Sequence, residues 1–129
     1  PLIVVAPGLT EPGSSSGQAV SLMDIYPTLM ELTGLDAPDY LEGRSLVPLI
    51  EDPDAEWDHV ALSTFGFQNH AVRSERYRYI RYADGSEELY DHQTDSNEWH
   101  NLASDPAYAR IKAELQQRLP QENAPNEAQ

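Results

Sequence analysis

The sequence predicts an α+β chain in which a small antiparallel sheet of three or four strands is packed by a C-terminal helix. Two observations support this prediction: residues alternate with a period of two between Trp57 and Asp91, and apolar residues then recur at helical spacing from Tyr108 to Leu119. A third observation points to a larger fold, because the apolar run Leu2–Ala6 is typical of a strand buried on both faces of a parallel sheet. We therefore expect one strand and one helix of a large α/β parent fold to precede the small sheet.

The chain is predicted to divide into three parts. Residues 1–53 are expected to be the end of a larger domain, with a strand, a loop, a helix and a connection, and residues 54–119 to be a C-terminal subdomain. The tail 120–129 is polar and contains no large apolar residue, so we expect it to be disordered. Since the chain opens with Pro1 inside a strand-like run, we expect it to be a piece of a longer protein.

A helix is predicted between Asp24 and Gly34. Asp24 is a suitable N-cap, Pro27 is tolerated in a first turn, and Gly34 is a natural C-terminal stop. The apolar stripe on this helix is expected to be core; it consists of Ile25, Leu29 and Leu32, widened by Met23, Tyr26 and Met30.

The sheet is predicted from four short runs separated by turn residues: His59–Phe65, Ala71–Arg73, Tyr77–Tyr82 and Glu87–Asp91. Asp84-Gly85 is the strongest hairpin signal in the chain, and a two-residue loop there would place Arg81 opposite Glu88 and Ile80 opposite Leu89. The last helix is expected to start at Ser104 or Asp105 and to end at Pro120.

Charge and composition exclude several classes of function. The 129 residues include 22 Asp and Glu against 8 Lys and Arg, for a formal charge of −14, which disfavours nucleic acid and anionic membranes as partners. There is no cysteine, which excludes disulfides and thiolate metal sites. No apolar run in the sequence is long enough to span a bilayer.

No catalytic residue and no metal ligand is predicted. The sequence has neither a phosphate-binding glycine loop nor an HExxH motif, and the serine run at 14–16 has no neighbouring base. Asp58-His59 and Asp91-His92 resemble metal-binding pairs but lack a third ligand nearby, so we interpret them as surface histidines.

Positive charge is concentrated in one place, where four arginines lie within nine positions, and this segment is the best candidate for contact with an anionic sugar. Arg76, Arg78 and Arg81 are expected to pair with nearby carboxylates, namely Glu75, Glu87, Glu88 and Asp91. His70 and Arg73 lie beside a turn, where binding residues are common, and are therefore predicted to contact substrate.

Several segments, in this order, resemble the C-terminal third of sulfatases of the alkaline-phosphatase-like superfamily. They are the opening Pro1–Gly8, the helical segment Val20–Gly34, the connection Leu41–Leu46, and Glu88–Asp91 followed by Asp95–Leu102. The resemblance extends to about Leu119. Residues 68–73 and 76–80 are most similar to the iduronate-2-sulfatase-like branch.

The resemblance implies a parent enzyme that hydrolyses sulfate esters, on a sulfated polysaccharide or glycosaminoglycan, and that is periplasmic or secreted. In the family, a formylglycine made from Cys or Ser in a Cys/Ser-x-Pro-x-Arg motif attacks sulfur, and a calcium ion stabilises the sulfate oxygens. This chain contains neither that motif nor, by the resemblance, the metal ligands, so it is expected to be inactive without the N-terminal part of the same enzyme. Its expected contribution is one wall of the pocket, with His70 and Arg73 as substrate contacts.

Two alternatives stay open. A fragment of a phosphonate or phosphodiester hydrolase would share the scaffold and would differ in the nucleophile motif upstream. A stand-alone carbohydrate-binding module would have to bind sulfated glycans in a salt-dependent manner, although the apolar edge Leu2–Ala6 argues against an independent fold.

Overall fold

A computed structural model of the chain describes residues 1–124 and contains two compact units, Pro1–His59 and the part from Val60 onward. The predicted boundary after residue 53 stays a prediction. Residues 125–129 of the predicted disordered tail lie outside the described residues. Within the described part, no helix is long and apolar enough to cross a membrane.

The first unit holds two helices, α1 (Ile25–Leu32) and α2 (Val47–Glu51), and a 3-10 turn, Leu22–Asp24, leads into α1. Asp24 stands at the N-cap position of α1, as predicted, but its side chain makes no capping bond to α1. It accepts the Ser21 backbone N–H instead, in a capping box with Ser21, which caps the 3-10 turn. Gly34 has a φ of 70° at the end of α1, as predicted for a helix stop. Helix α2 lies in the connection that is predicted to end residues 1–53, where no helix is predicted.

The prediction that the apolar stripe of α1 lies in the core is wrong. The stripe is largely in solvent, with Met23 48%, Tyr26 51% and Leu29 54% exposed. The buried face is polar instead: Asp24 is fully buried, and the Thr28 hydroxyl accepts the Leu46 backbone N–H at 2.8 Å. Periodicity identifies the apolar face of a helix but not which face its neighbours cover.

The predicted strand at Leu2–Ala6 is not formed in the described structure. The segment has no ladder partner, and Ile3 and Val5 are 85% and 80% exposed. A strand exists only when its backbone groups pair with a neighbour, and an apolar run does not supply that neighbour.

The second unit contains the four-stranded antiparallel sheet that the sequence predicts. Its strands are β1 (Ala61–Thr64), β2 (His70–Arg73), β3 (Tyr77–Arg81) and β4 (Glu87–Asp91), and they pair in the order β1-β2-β3-β4.

The predicted hairpin register is wrong by one residue. Arg81 pairs with Glu87 and Tyr79 with Leu89, because Tyr82 bonds Ser86 and the loop has three residues, ending in Gly85 at a φ of 86°. A three-residue loop that closes with a left-handed glycine is a common hairpin type. A slip of one residue moves every side chain to the other face of the sheet, so the loop length decides which residues are core.

One face of the sheet is covered by the C-terminal helix α3 (Ala109–Gln116), which follows a 3-10 turn at Pro106–Tyr108. Asp105 caps that turn, at the predicted start, but α3 ends at Gln116 and not at the predicted Pro120. The core under the helix consists of Val72, Tyr79, Leu89, Ala103, Leu115 and Leu119. The face that packs against the helix is called the helix face below, and the other is called the open face.

Candidate substrate-contact site

His70 opens strand β2 on the helix face, and only 3% of it is exposed. Its Nδ1 lies 2.9 Å from the Thr64 hydroxyl on the neighbouring strand, and its Nε2 lies 2.6 Å from Oδ1 of Asn123. An Nε2–H that donates to Asn123 and an Nδ1 that accepts from Thr64 make up the neutral tautomer. Both ring nitrogens are therefore engaged, one of them by the C-terminal segment.

Arg73 ends strand β2, and its half-buried guanidinium is used within the β2–β3 turn. Nη1 donates to the backbone carbonyls of Ser74, of Glu75 at 3.0 Å and of Tyr77 at 3.3 Å. Burial lowers the pKa of Arg73; the negative charge of Glu98 opposes this lowering and the positive charge of Arg78 adds to it. These bonds stabilise the turn, and all of them are made by Nη1. The guanidinium has further N–H groups that can donate to another acceptor.

The structure does not bring His70 and Arg73 together. They are three positions apart on one strand, and an odd spacing places two side chains on opposite faces of a sheet. The burial of β2 follows this alternation, with His70 and Val72 buried and Arg73 only partly so. One ligand on one face would therefore meet only one of them.

Arg73 shares the open face with a cluster that the sequence did not predict. Arg73 and Tyr90 both lie opposite Arg78 in the ladder, and the Arg78 guanidinium donates to both oxygens of Glu98, at 3.1 and 2.9 Å. His92 Nε2 lies 2.7 Å from the same carboxylate. Glu98 lies outside the strands, at a φ of 58°, and no feature of the sequence signals its role.

The expected pairing of the other arginines is confirmed for Arg76 and differs for the rest. Arg76 binds Asp91 with two hydrogen bonds, while Arg78 uses Glu98 instead of one of the expected carboxylates. Among the described residues, Arg81 forms no hydrogen bond or ion pair through its side chain. It lies next to His70 in the ladder, on the helix face.

A second polar cluster ties the helix to the sheet. The Glu87 carboxylate accepts from the Tyr79 hydroxyl at 2.5 Å, from Lys112 at 2.9 Å and from Gln116 at 2.5 Å. The hydrogen bonds from Tyr79 and then from Lys112 hold the pKa of Glu87 below its usual value. Burial and the bond to Glu87 raise the pKa of Tyr79 to about 12. This cluster is internally satisfied, which assigns it to stability rather than to ligand binding.

A metal site is not present in the part of the chain that the structure describes, where no three His, Asp or Glu side chains converge. In each Asp-His pair the histidine contacts a carboxylate elsewhere in the chain: His59 Nε2 lies 3.4 Å from Asp24, and His92 Nε2 lies 2.7 Å from Glu98.

The fold and these residues define a small α+β subdomain whose sheet carries a hydrogen-bonded network of arginines and carboxylates. Residues 1–125 match the family described as N-sulphoglucosamine sulphohydrolase, C-terminal. The chain therefore belongs to this family, which is the C-terminal part of sulfatases.

Similar proteins carry the same assignment. A sulfatase of Formosa agariphila is 40% identical over 96% of this chain and 24% of its own length. A Delta 4,5-hexuronate-2-O-sulfatase of Bacteroides thetaiotaomicron is 32% identical over 88% of the chain and 26% of its own. The chain thus spans about a quarter of the length of these curated relatives.

A similar subdomain is found in solved structures of sulfatases and of another class of hydrolase. A 2-O glycosaminoglycan sulfatase is 35% identical with a TM-score of 0.59, over 74% of this chain and 22% of the other. A phosphonate monoester hydrolase of Agrobacterium radiobacter is 29% identical, also with a TM-score of 0.59, over 74% and 23%. The likeness therefore extends to an enzyme of phosphorus chemistry.

Proposed function

We propose that this chain is the C-terminal subdomain of an enzyme that hydrolyses sulfate esters on a sulfated polysaccharide or glycosaminoglycan. The observation that supports the proposal most directly is the family match over residues 1–125. The names of the relatives agree with it, since they describe sulfatases of a hexuronate and of a glycosaminoglycan.

The resemblance implies a formylglycine nucleophile and a calcium ion in the whole enzyme, and the residues of this chain do not fit either group. The sequence has no cysteine and no Ser-x-Pro-x-Arg, and the described residues contain no convergent ligand set. Without nucleophile or cation, nothing in the chain offsets the charge that develops on a leaving alkoxide. Both groups would come from the N-terminal part of the same enzyme.

The role proposed for this chain is to form one wall of the substrate pocket. His70 and Arg73 remain the proposed contacts, and the opposite faces they occupy assign them to different parts of a ligand. For His70 to bind a sugar hydroxyl, the bond to Asn123 has to be exchanged. Arg73 needs no such exchange, because a guanidinium has five N–H donors.

Within the family we place the chain in the iduronate-2-sulfatase-like branch. The hexuronate-2-O-sulfatase relative, 32% identical, supports this branch. We also propose that the parent enzyme is periplasmic or secreted, where extracellular polysaccharides are available. Fractionation of cells that produce the parent enzyme tests this localisation, and activity confined to the cytoplasm would contradict it.

A phosphonate or phosphodiester hydrolase is the second candidate, supported by the Agrobacterium radiobacter structure at 29% identity. The two candidates differ upstream of this chain. A Cys/Ser-x-Pro-x-Arg motif there favours sulfate ester hydrolysis, and a threonine nucleophile favours phosphorus chemistry.

The test compares the chain alone with the parent enzyme on 4-nitrophenyl sulfate and on a phenyl phosphonate ester, with calcium present. We expect turnover of the sulfate by the parent enzyme only. Preference for the phosphonate would move the assignment to the second candidate. Turnover by the isolated chain that persists after repeated purification would contradict the proposal that the catalytic groups come from the N-terminal part of the enzyme.

A further inference from the structure

Helix α1 and the turn before it present an apolar stripe to solvent. Leu22, Tyr26 and Leu29 are 81%, 51% and 54% exposed, and their helical spacing places them on one side. The opposite side packs against its own unit through the buried polar residues Asp24 and Thr28, which accept backbone N–H groups of the connection before α2. An ordinary surface helix turns its apolar side to the core, so the orientation of this helix is inverted.

A groove of about 760 Å³ in the same unit adjoins this stripe at Leu22. One wall is formed by the run Leu2 to Val4, and another by Leu49 and Ile50 of α2. Within the first wall, Ile3 is 85% exposed. Because Leu22 belongs to both the stripe and the groove, the two form one continuous surface, which we call the docking face.

The run beside the groove also has unpaired backbone groups. Among the described residues, no hydrogen bond reaches the N–H or C=O groups of Ile3, Val4 and Val5, whereas Ala6 is already bonded to Thr10. All three unpaired residues are β-branched, a type that favours strands. An apolar run with free backbone donors and acceptors is suited to pairing with the edge of a sheet.

Size, charge and chemistry identify the occupant of the docking face. The chain covers 24% and 26% of two curated relatives, so about three quarters of each relative lies outside the matched part. Residues 1–59 contain eleven Asp and Glu against one Arg, so a second copy of this unit would be repelled. Aliphatic side chains in one continuous surface suit an apolar protein surface rather than a hydroxyl-rich saccharide. These observations favour the rest of the same enzyme.

We infer that the docking face binds the N-terminal part of the same enzyme. The stripe on α1 packs against an apolar surface of that part, and the backbone of Ile3 to Val5 pairs with the edge of one of its sheets. This pairing accounts for a predicted strand that has no partner among the described residues. The inference rests on the proposed function in one respect, since it takes the catalytic groups to lie in an N-terminal part.

Hydrogen exchange in the parent enzyme, followed by mass spectrometry, tests the backbone pairing. We expect the amides of residues 3–5 to exchange at least about 100-fold more slowly than in the fully unfolded enzyme, because a paired strand must open before it exchanges. Residues 36–39 serve as the control segment, since they are largely exposed and lie outside the docking face. Their amides should exchange nearly as fast as in the unfolded enzyme.

Substitutions in the parent enzyme test the stripe. We expect Tyr26→Ala/Leu29→Ala to lower the melting temperature by about 5 °C, because two large side chains leave a cavity where they pack. Glu31→Ala is the matched control on the same helix: Glu31 is exposed, and two positions from Leu29 it faces another side. Its melting temperature should change by less than about 1 °C.

Fast exchange at residues 3–5 would overturn the inference, and so would a double variant that melts no lower than Glu31→Ala. Protection that is lost when the enzyme is diluted would assign the docking face to a second copy and would overturn it as well. Neither measurement depends on turnover. If the parent enzyme hydrolyses no sulfate ester while both expected results are obtained, the proposed function fails and the docking face stands.

Discussion

Arg76 binds Asp91 with two parallel hydrogen bonds, from Nε to Oδ1 at 2.8 Å and from Nη2 to Oδ2 at 2.6 Å. The Asp91 side chain is fully buried, while that of Arg76 is 46% exposed. Asp91 also accepts the Gln93 backbone N–H, so one carboxylate anchors β4, the turn after it and the start of β3. The pair is thus a structural centre of the sheet.

The first prediction concerns this anchor. We expect Asp91→Ala to lower the free energy of unfolding by about 2 kcal/mol, because several donors lose their acceptor in a buried setting. Urea denaturation measures the change. Glu114→Ala is the control: its partner Arg110 is 82% exposed, so this helix pair should contribute less than about 0.5 kcal/mol. Equal effects of the two changes would contradict the assignment.

The second prediction concerns the loss of folding stability at low pH. The hydrogen bonds from Arg76 hold the pKa of Asp91 below its ordinary value of 3.8, and the pKa of Glu87 is likewise below 4.5. A carboxyl group whose pKa is lower in the folded state contributes stability that is complete above its unfolded pKa and is lost as the pH falls through the folded value. Stability should therefore decline from about pH 5 downward.

Asp91→Asn should flatten that decline, since it removes one of the carboxyl groups whose pKa is lowered in the folded state. Thermal unfolding of both proteins, followed between pH 7 and pH 3, measures the slopes. Parallel slopes would show that Asp91 does not contribute to the acid sensitivity.

The third prediction concerns Gly43. A Cβ at this position would lie 2.0 Å from the backbone oxygen of Met23, and the next residue, Arg44, donates its N–H to buried Asp24 at 2.8 Å. We expect Gly43→Ala to destabilise the first unit by about 3 kcal/mol, because two backbone segments must separate. Gly13→Ala is the control, since its Cβ meets no atom within 4 Å and only its φ of 83° is unfavourable. That change should cost about 1 kcal/mol.

The sequence predicted the order of strands and the last helix because both depend on local signals, namely alternation, turn residues and Asp105 before Pro106. It failed where the decision depends on distant residues. The one-residue shift of the hairpin came from a third loop residue, and the wrong core face of α1 came from Asp24 and Thr28, which bind the connection near Leu46. No periodicity could have predicted those contacts.

The same distinction between local signals and distant contacts applies to the candidate site. The residue types of His70 and Arg73 and their place beside turns predict a binding role, and strand geometry places their side chains on opposite faces. Asn123, the partner of His70, is 53 positions away along the chain. Glu98, whose charge acts on Arg73 and whose carboxylate pairs with Arg78, is 25 positions from Arg73. Long-range partners of this kind become visible only when the chain is folded.

The last prediction separates a structural His70 from a substrate-binding one. If His70 binds substrate, the bond from its Nε2 to Asn123 competes with the ligand, so Asn123→Ala should lower KM while kcat stays constant. His70→Ala should raise KM in the same assay, on a 2-O-sulfated disaccharide with the parent enzyme, and His70→Gln should restore part of the loss because an amide still donates. If His70 is only structural, both His70→Ala and Asn123→Ala will lower the melting temperature and leave KM unchanged. Arg73→Lys extends the test to the open face: a lysine keeps the charge but not the fork of donors, so a rise in KM without a loss of stability would place Arg73 on the ligand.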